Sequence, residues 1–385
     1  MNDLGLVRER SFDAGPPPAE AGAWLTIDLG ALAANWRLLR DRVAPAACGA
    51  AVKADAYGIG LEPALWTLAD TGCRTFFVAH LSEGMRAREI DDTAEIYVLN
   101  ALLPGTAPAY AGLNLRPVLG SRDEVAEWAA FCMECGERLP AALHVDTGLN
   151  RLGMRTEEAL ALAGDPLLQA FAPALLMSHF VGSEEPDNPV TAAQIAAFDR
   201  VRSAYPHVPA SLSNSSGIFL PERPFHDLVR PGYALYGGNP MPGRPNPMRP
   251  VVRLEARILQ LHEAAAGETA GYNGRWRAKG KRRLATLCVG YADGLPRALS
   301  GIDGKPPAGE AMVAGTRCPF AGTVSMDLVI LDITEVPEGR VKRGDPVTLI
   351  GDDLSLDEVG RRAGTIGYEI LTSLGARYAR RYVGA

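Results

Sequence analysis

Residues 48–58 read Cys48-Gly49-Ala50-Ala51-Val52-Lys53-Ala54-Asp55-Ala56-Tyr57-Gly58. The stretch is apolar until it meets one lysine, then turns polar and stops at a glycine. A short apolar run of this length, closed by turn residues, reads as a buried strand over Gly49–Lys53 leading into a loop. Working outward, similar runs recur at Thr75–Ala79, Glu95–Leu99, Arg116–Leu119, Ala142–Asp146, Ala174–Phe180, Ala210–Asn214 and Leu228–Gly232. Amphipathic stretches alternate with them, among them Leu29–Val43, Glu62–Thr71, Ser121–Arg138, Thr156–Ala163 and Val190–Tyr205. Strands alternating with helices imply βαβ units and a parallel sheet. Eight such units in roughly 200 residues fit a (β/α)8 barrel. A doubly wound open sheet is the alternative, but no GxGxxG follows any strand, which weighs against a dinucleotide site.

The texture changes after Tyr236. Gly237–Pro250 is rich in Gly, Pro and Asn and reads as a linker. Beyond it come β-rich runs at Val251–Leu261, Arg283–Val289, Glu310–Val313, Val324–Ile333 and Pro346–Ile350, with one helical stretch at Ser355–Ala363. The fold class expected is therefore α/β: an N-terminal (β/α)8 barrel over residues 24–240 and a C-terminal mostly β domain over 241–385. Residues 1–23, polar and proline-rich, read as a disordered tail.

Lysine usage singles out one residue. Among 39 lysines and arginines, lysine occurs only at 53, 279, 281, 305 and 342. Arginine serves wherever a positive charge suffices, but it cannot form a Schiff base, whereas a desolvated lysine amine can. Lys53 also ends a strand, and barrel active sites lie at the C-terminal ends of the strands. The plainer alternative is a snorkelling lysine or an ion pair with Asp55. Other strand ends carry matching groups: Asp146-Thr147-Gly148-Leu149-Asn150-Arg151, Ser178-His179-Phe180, Asn214-Ser215-Ser216-Gly217 and Arg230-Pro231-Gly232-Tyr233. Hydroxyls and open glycine backbone at the last two strand ends suit a phosphate. A histidine on an apolar strand is commonly core, but His179 shares the barrel mouth with Arg230.

The bulk numbers exclude several classes. The net charge is −6, against non-specific binding of nucleic acid. The one basic cluster, Arg275 to Arg283, reads as a solvated loop or interface segment. Cys132 and Cys135 form a CxxC late in a helix-like stretch, with no second pair or nearby histidine to complete a zinc set. No apolar run approaches the roughly 20 residues of a membrane span. The N-terminus lacks the features of a signal peptide, so a cytoplasmic protein is expected.

The segments AVKADAYG, HVDTGLNRLGM, MSHF, SNSSG, VRPGYALYG, GYADG, VSMD and IGYEILTSLGARYARRY occur in this order. With these, the chain from Trp24 onward resembles the alanine racemase family, whose members hold pyridoxal phosphate in the barrel and act as head-to-tail homodimers. The resemblance implies that Lys53 forms the Schiff base with the cofactor. It implies that Tyr57, Ser215, the backbone at Gly232 and Tyr233, and Tyr368 hold the phosphate. Arg230 would face the pyridine nitrogen, and His179 would lie between the ring and that arginine. Arg151 would fix the substrate carboxylate. Tyr272 would be a second base supplied by the partner subunit, with Met326 and Asp327 at the substrate carboxylate and Tyr291 and Arg297 lining the entrance. Two bases on opposite faces would then exchange the Cα proton of alanine, and D-alanine would serve peptidoglycan synthesis. No metal is implied.

Three positions depart from the family pattern. His144 stands where many relatives carry a carbamylated lysine, leaving Asn150 or a bound anion to hold Arg151. Ser325 stands where cysteine is frequent, and Thr323 where an entrance arginine is common. Competing readings on the same scaffold are a broad-specificity racemase acting on serine, a decarboxylase of basic amino acids, and a non-catalytic pyridoxal-phosphate carrier similar to the barrel alone.

Overall fold

A computed structural model describes residues 12–185, 187–305 and 309–384. The chain forms two compact units, Ala31–Arg249 and the described parts of Met1–Gly30 with Pro250–Ala385.

In the first unit the strands run Ala47–Cys48 with Ala50–Ala51, Thr75–Val78, Glu95–Val98, Arg116–Leu119, Pro140–Asp146, Ala172–Met177, Ala210–Ser211 and Leu228–Val229. Each pairs in parallel with its neighbour in chain order up to Ala210–Ser211. Leu228–Val229 pairs in parallel back onto Ala47–Cys48. Backbone bonds from Asp227 N to Ala210 O (3.0 Å) and Arg230 N to Ser213 O (2.9 Å) close the remaining gap. The result is the expected barrel.

Its strands are buried because helices cover them. Leu29–Val43, for example, buries Leu29, Leu32, Trp36, Leu39 and Val43 at helical spacing. The helix expected over Ser121–Arg138 runs Arg122–Cys135: Ser121 caps its start by accepting from Glu124 N, and Gly136 ends it at φ 71°. Cys132 is buried and Cys135 exposed on this helix.

In the second unit one long strand, Val252–Ala264, organises an eight-stranded sheet. Its first half pairs antiparallel with Ala23–Asp28 and Pro346–Ile350, its second half with Arg282–Leu287. Irregularities after Leu254 and Ile258 let one strand serve both neighbourhoods. Glu310–Val313, Thr316–Pro319, Val329–Asp332 and Ala379–Val383 complete the sheet.

Two domain limits differ from expectation. Ala23–Asp28 belongs to the β unit rather than the barrel: it alternates buried and half-buried residues and also pairs in parallel with Ala379–Val383. Residues 241–249 belong to the barrel unit, where Asn35, fully buried, donates to Leu235 O and Arg249 O and accepts from Arg249 N. The expected disordered tail is also shorter than 1–23. Ala14 bridges Arg380, Trp24 Nε1 donates to Pro18 O, and Arg257 donates to Ala21 O and Pro18 O while stacking on Trp24 at 4.2 Å. Carbonyls of this proline-rich stretch thus find donors on the sheet. Residues 1–11 of that expected tail lie outside the described residues.

Candidate active site

The first barrel strand delivers Lys53 into an unusual turn. Ala54, Asp55, Ala56 and Tyr57 all have φ of 53–54°, a left-handed turn built from four non-glycine residues. Glu83 pins it, accepting from Ala54 N (2.6 Å) and from Ala79 N (2.7 Å) at the next strand end. Burial lowers the Lys53 amine below its ordinary value; Arg151 adds to that and Glu83 opposes it. Arg86, not Lys53, makes the ion pair with Asp55 (3.2 Å).

The last two strand ends meet the same turn. Ser215 Oγ accepts from Gly232 N (3.0 Å) and Ala234 N (3.1 Å). A methyl group on Gly232 would lie 2.2 Å from Tyr57 Oη, so the tyrosine hydroxyl rests directly against that glycine. Tyr57 stacks on Tyr236 at 4.6 Å, and Tyr236 donates to Ala51 O (2.8 Å), two residues before the lysine. Tyr233 is buried with its ring against Gly238. Tyr57, Ser215, Gly232 and Tyr233 are therefore brought together at these strand ends.

Arg230 is only 6% exposed, and its guanidinium donates to Ser211 Oγ, Ser178 O and Leu212 O. All three acceptors are neutral. Burial pulls it down to about 10, which leaves it charged at neutral pH. That charge reaches the two nearby imidazoles. His179 falls to about 3, first through burial and then through Arg230, Arg151, Lys53 and His144. His144 falls to about 4 through burial, Arg230 and Arg151, against the pull of Asp146. Both histidines are neutral at pH 7, beside Lys53, Arg151 and Arg230. Lys53, Arg151 and Arg230 make the barrel mouth electropositive, and the Tyr57 and Ser215 hydroxyls lie at the adjoining strand ends. That donor set fits an anionic aldehyde such as pyridoxal phosphate.

Arg151 lies at the end of a loop held by Asp146, whose carboxylate accepts from Gly148, Leu149 and Asn150 N–H groups. The Asn150 side chain donates through Nδ2 to Gly148 O and so shapes the loop.

The remaining predicted residues lie on the β unit. Tyr272 opens a short turn after Gly271 (φ 71°) and is 68% exposed. Tyr291 N donates to Ser325 O and Ala292 N to Met326 O, both at 3.0 Å, so the loops carrying Tyr291, Met326 and Asp327 run together. Ser325 Oγ caps its own loop through Leu328 N and O, while Thr323 is buried. Tyr291 and Arg297 line a cleft of about 710 Å³ with Glu369 and Thr365. Tyr368 is partly exposed on the helix Gly367–Thr372.

Three supporting residues escaped the sequence reading. Arg377 clamps two loops together, binding Asp293 through two nitrogens (2.6 and 2.8 Å) and Asp327 at 2.7 Å. Nothing in LGARYARRY distinguishes it from its neighbouring arginines. Glu83 carries no signal either. Gln194 does: it falls on the face of its helix that Thr191, Phe198 and Val201 also bury. In the basic cluster Lys281 pairs with Glu263 (2.9 Å) and Arg282 lies near Asp332 (3.7 Å), while Arg277 and Arg283 donate to backbone carbonyls.

A (β/α)8 barrel with a desolvated lysine, clustered hydroxyls and a buried arginine at its mouth fits the class of barrel-type pyridoxal-phosphate enzymes. The family profile described as alanine racemase, N-terminal domain, matches residues 27–240, and that described as alanine racemase, C-terminal domain, matches 251–382. The chain is 66% identical over 365 residues to an alanine racemase of Methylobacterium nodulans, covering 94% of this chain and 96% of that one. It is 62% identical to one from Methylobacterium sp. strain 4-46, covering 94% and 98%. A crystal structure of alanine racemase from Bartonella henselae with covalently bound pyridoxal phosphate superposes with a TM-score of 0.89 at 37% identity, covering 94% of this chain and all of that one. The chain belongs to the alanine racemase family. The match to both domains sets aside the carrier that resembles the barrel alone, and relatives named for alanine do not favour the serine reading.

Proposed function

We propose that this chain interconverts L-alanine and D-alanine with pyridoxal phosphate as cofactor, Lys53 and Tyr272 handling the Cα proton on opposite faces. The observation that carries the proposal is the Lys53 amine, desolvated at a strand end and faced by Arg151. When bound, the cofactor delocalises the charge left at Cα after proton loss. The rest falls to the protein. Tyr57, Ser215, the backbone at Gly232 and Tyr233, and Tyr368 hold the phosphate. Arg230 presents a lasting positive charge to the pyridine nitrogen and disfavours a proton there, with neutral His179 alongside. Arg151, Met326 and Asp327 orient the substrate carboxylate, and Tyr291 and Arg297 line its route in.

The second base comes from a second copy of the chain in a homodimer. Support comes from exposure: Tyr272, Tyr291, Met326, Leu328 and Ile366 are all exposed on the β unit and open to a second copy. Among the described residues no helix is long and apolar enough to cross a membrane. We place the enzyme in the cytoplasm, supplying D-alanine for peptidoglycan.

Circular dichroism of L-alanine incubated with protein and pyridoxal phosphate tests the activity, with L-serine in parallel. Loss of optical activity with alanine is expected; its absence defeats the proposal. Tyr272→Phe should suppress solvent-hydrogen exchange into one enantiomer far more than into the other. Equal suppression would rule out two bases on opposite faces.

A further inference from the structure

Gln194 has no exposed surface, although it lies on the outer helix Pro189–Arg202. Its side chain spans two barrel loops. Oε1 accepts from Val181 N (2.9 Å), while Nε2 donates to Thr147 Oγ1 and to His179 O (3.0 Å each). Its Cγ also packs about Gly148, 3.8 Å from where a methyl on that glycine would sit. Thr147 lies in the loop that ends at Arg151; His179 and Val181 belong to the next strand end. The chain of contacts continues inward, from Thr147 Oγ1 to Ser178 Oγ (2.7 Å), and Ser178 O accepts from Arg230.

We propose that Gln194 is a positioning residue that sets the spacing of the Arg151 and His179 loops and, through Thr147 and Ser178, the seat of Arg230. This rests on the barrel mouth being the cofactor site. The side-chain chemistry explains the choice of glutamine. The position needs an acceptor for Val181 N–H and donors for a hydroxyl and a carbonyl at the same time. Glutamate has no donor for His179 O when ionised, methionine has neither, and asparagine is one methylene short. A buried amide left unpaired on either side would pull the loops out of register.

The test uses purified protein loaded with pyridoxal phosphate and compares wild type with Gln194→Met, Gln194→Glu and Thr147→Val. Two readings are taken: kcat/KM for L-alanine, and the pH dependence of the bound cofactor's absorbance, which needs no turnover. His179 is faced by Arg230, Arg151, Lys53 and His144, so displaced loops change the charge felt by the cofactor. Gln194→Met should keep wild-type far-ultraviolet dichroism, lose about tenfold in kcat/KM and shift the absorbance midpoint. Gln194→Glu should move that midpoint upward by about one unit, because an added anion favours protonated forms. Thr147→Val should reproduce part of the loss, and combining it with Gln194→Met should add little further. A folded Gln194→Met with wild-type midpoint and kcat/KM overturns the proposal, as do additive effects of the two substitutions. Should Gln194→Met fail to fold, the midpoint in Thr147→Val decides: unchanged, it overturns the proposal. A wild-type chain that takes up no cofactor defeats the cofactor reading as well, whereas cofactor uptake with an indifferent Gln194 defeats this inference alone.

Discussion

Replacing Ala54 by glycine should stabilise the protein, which is the opposite of what glycine usually does. Ala54 sits at φ 53°, ψ 50° inside the left-handed turn after Lys53, and its side chain is exposed, so removing the methyl leaves no cavity. An L-residue in that conformation costs about 1–2 kcal/mol through the clash of Cβ with the backbone. Glycine escapes the clash but loses more freedom on folding, about 0.5–1 kcal/mol. The difference favours the variant by about 0.5–1 kcal/mol. The bond to the Glu83 carboxylate is donated by the Ala54 backbone N–H and survives the change.

The control is the same chemical change in the opposite setting. Ala196 is exposed in the middle of the helix Pro189–Arg202, where glycine costs about 0.8–1 kcal/mol. The two variants should therefore differ by about 1.5–2 kcal/mol. For a unit of this size that is roughly 4–6 °C between their melting temperatures, Ala54→Gly above wild type and Ala196→Gly below. Thermal unfolding by circular dichroism measures it. If Ala54→Gly melts below wild type by as much as Ala196→Gly, the turn is not left-handed in solution and the strain argument fails.

Two other outcomes follow from the barrel mouth. His144 and His179 stand at about 4 and about 3, below the usual 6.5. Above that ordinary value both are neutral folded or unfolded and stability is at its full level; as pH falls toward 4, the unfolded chain takes up protons that the folded barrel refuses. Stability should decline by about 1.4 kcal/mol per pH unit for each histidine over that window. Urea unfolding at pH 7 and pH 5 should thus show a smaller loss in His144→Asn than in wild type, and an equal loss would contradict the assigned environment. Gly232→Ala should weaken cofactor affinity at least about tenfold, since its methyl would displace Tyr57 Oη from the proposed phosphate cradle. Equilibrium titration of pyridoxal phosphate into the variant measures this, and wild-type affinity would show that Tyr57 does not border the cradle.

What the sequence reveals depends on whether a residue's role is local. Leu29–Val43 is legible to the residue because its apolar spacing is complete within itself, and the barrel strands are legible because each is a short apolar run closed by turn residues. Ala23–Asp28 is not, since its partners lie more than 220 residues away at Val252 and Ala379 and no nearby segment reports its side of the domain boundary. The same division runs through the site. Lys53 stands out because lysine is rare here and its chemistry is not interchangeable with arginine. The left-handed turn that carries it is invisible, because AlaAspAla has no preference for positive φ; Glu83, 29 residues on, helps to hold it there. Arg377 and Gln194 belong to this second kind. Their value lies in which two loops they join, and a single chain of letters records the donors and acceptors without recording that they meet. Gln194 alone leaves a trace, a polar residue at a position whose helical neighbours are buried. A fully buried amide needs partners on both sides, so the pattern predicts that a bridge exists even though only the folded barrel identifies Thr147, His179 and Val181 as its ends.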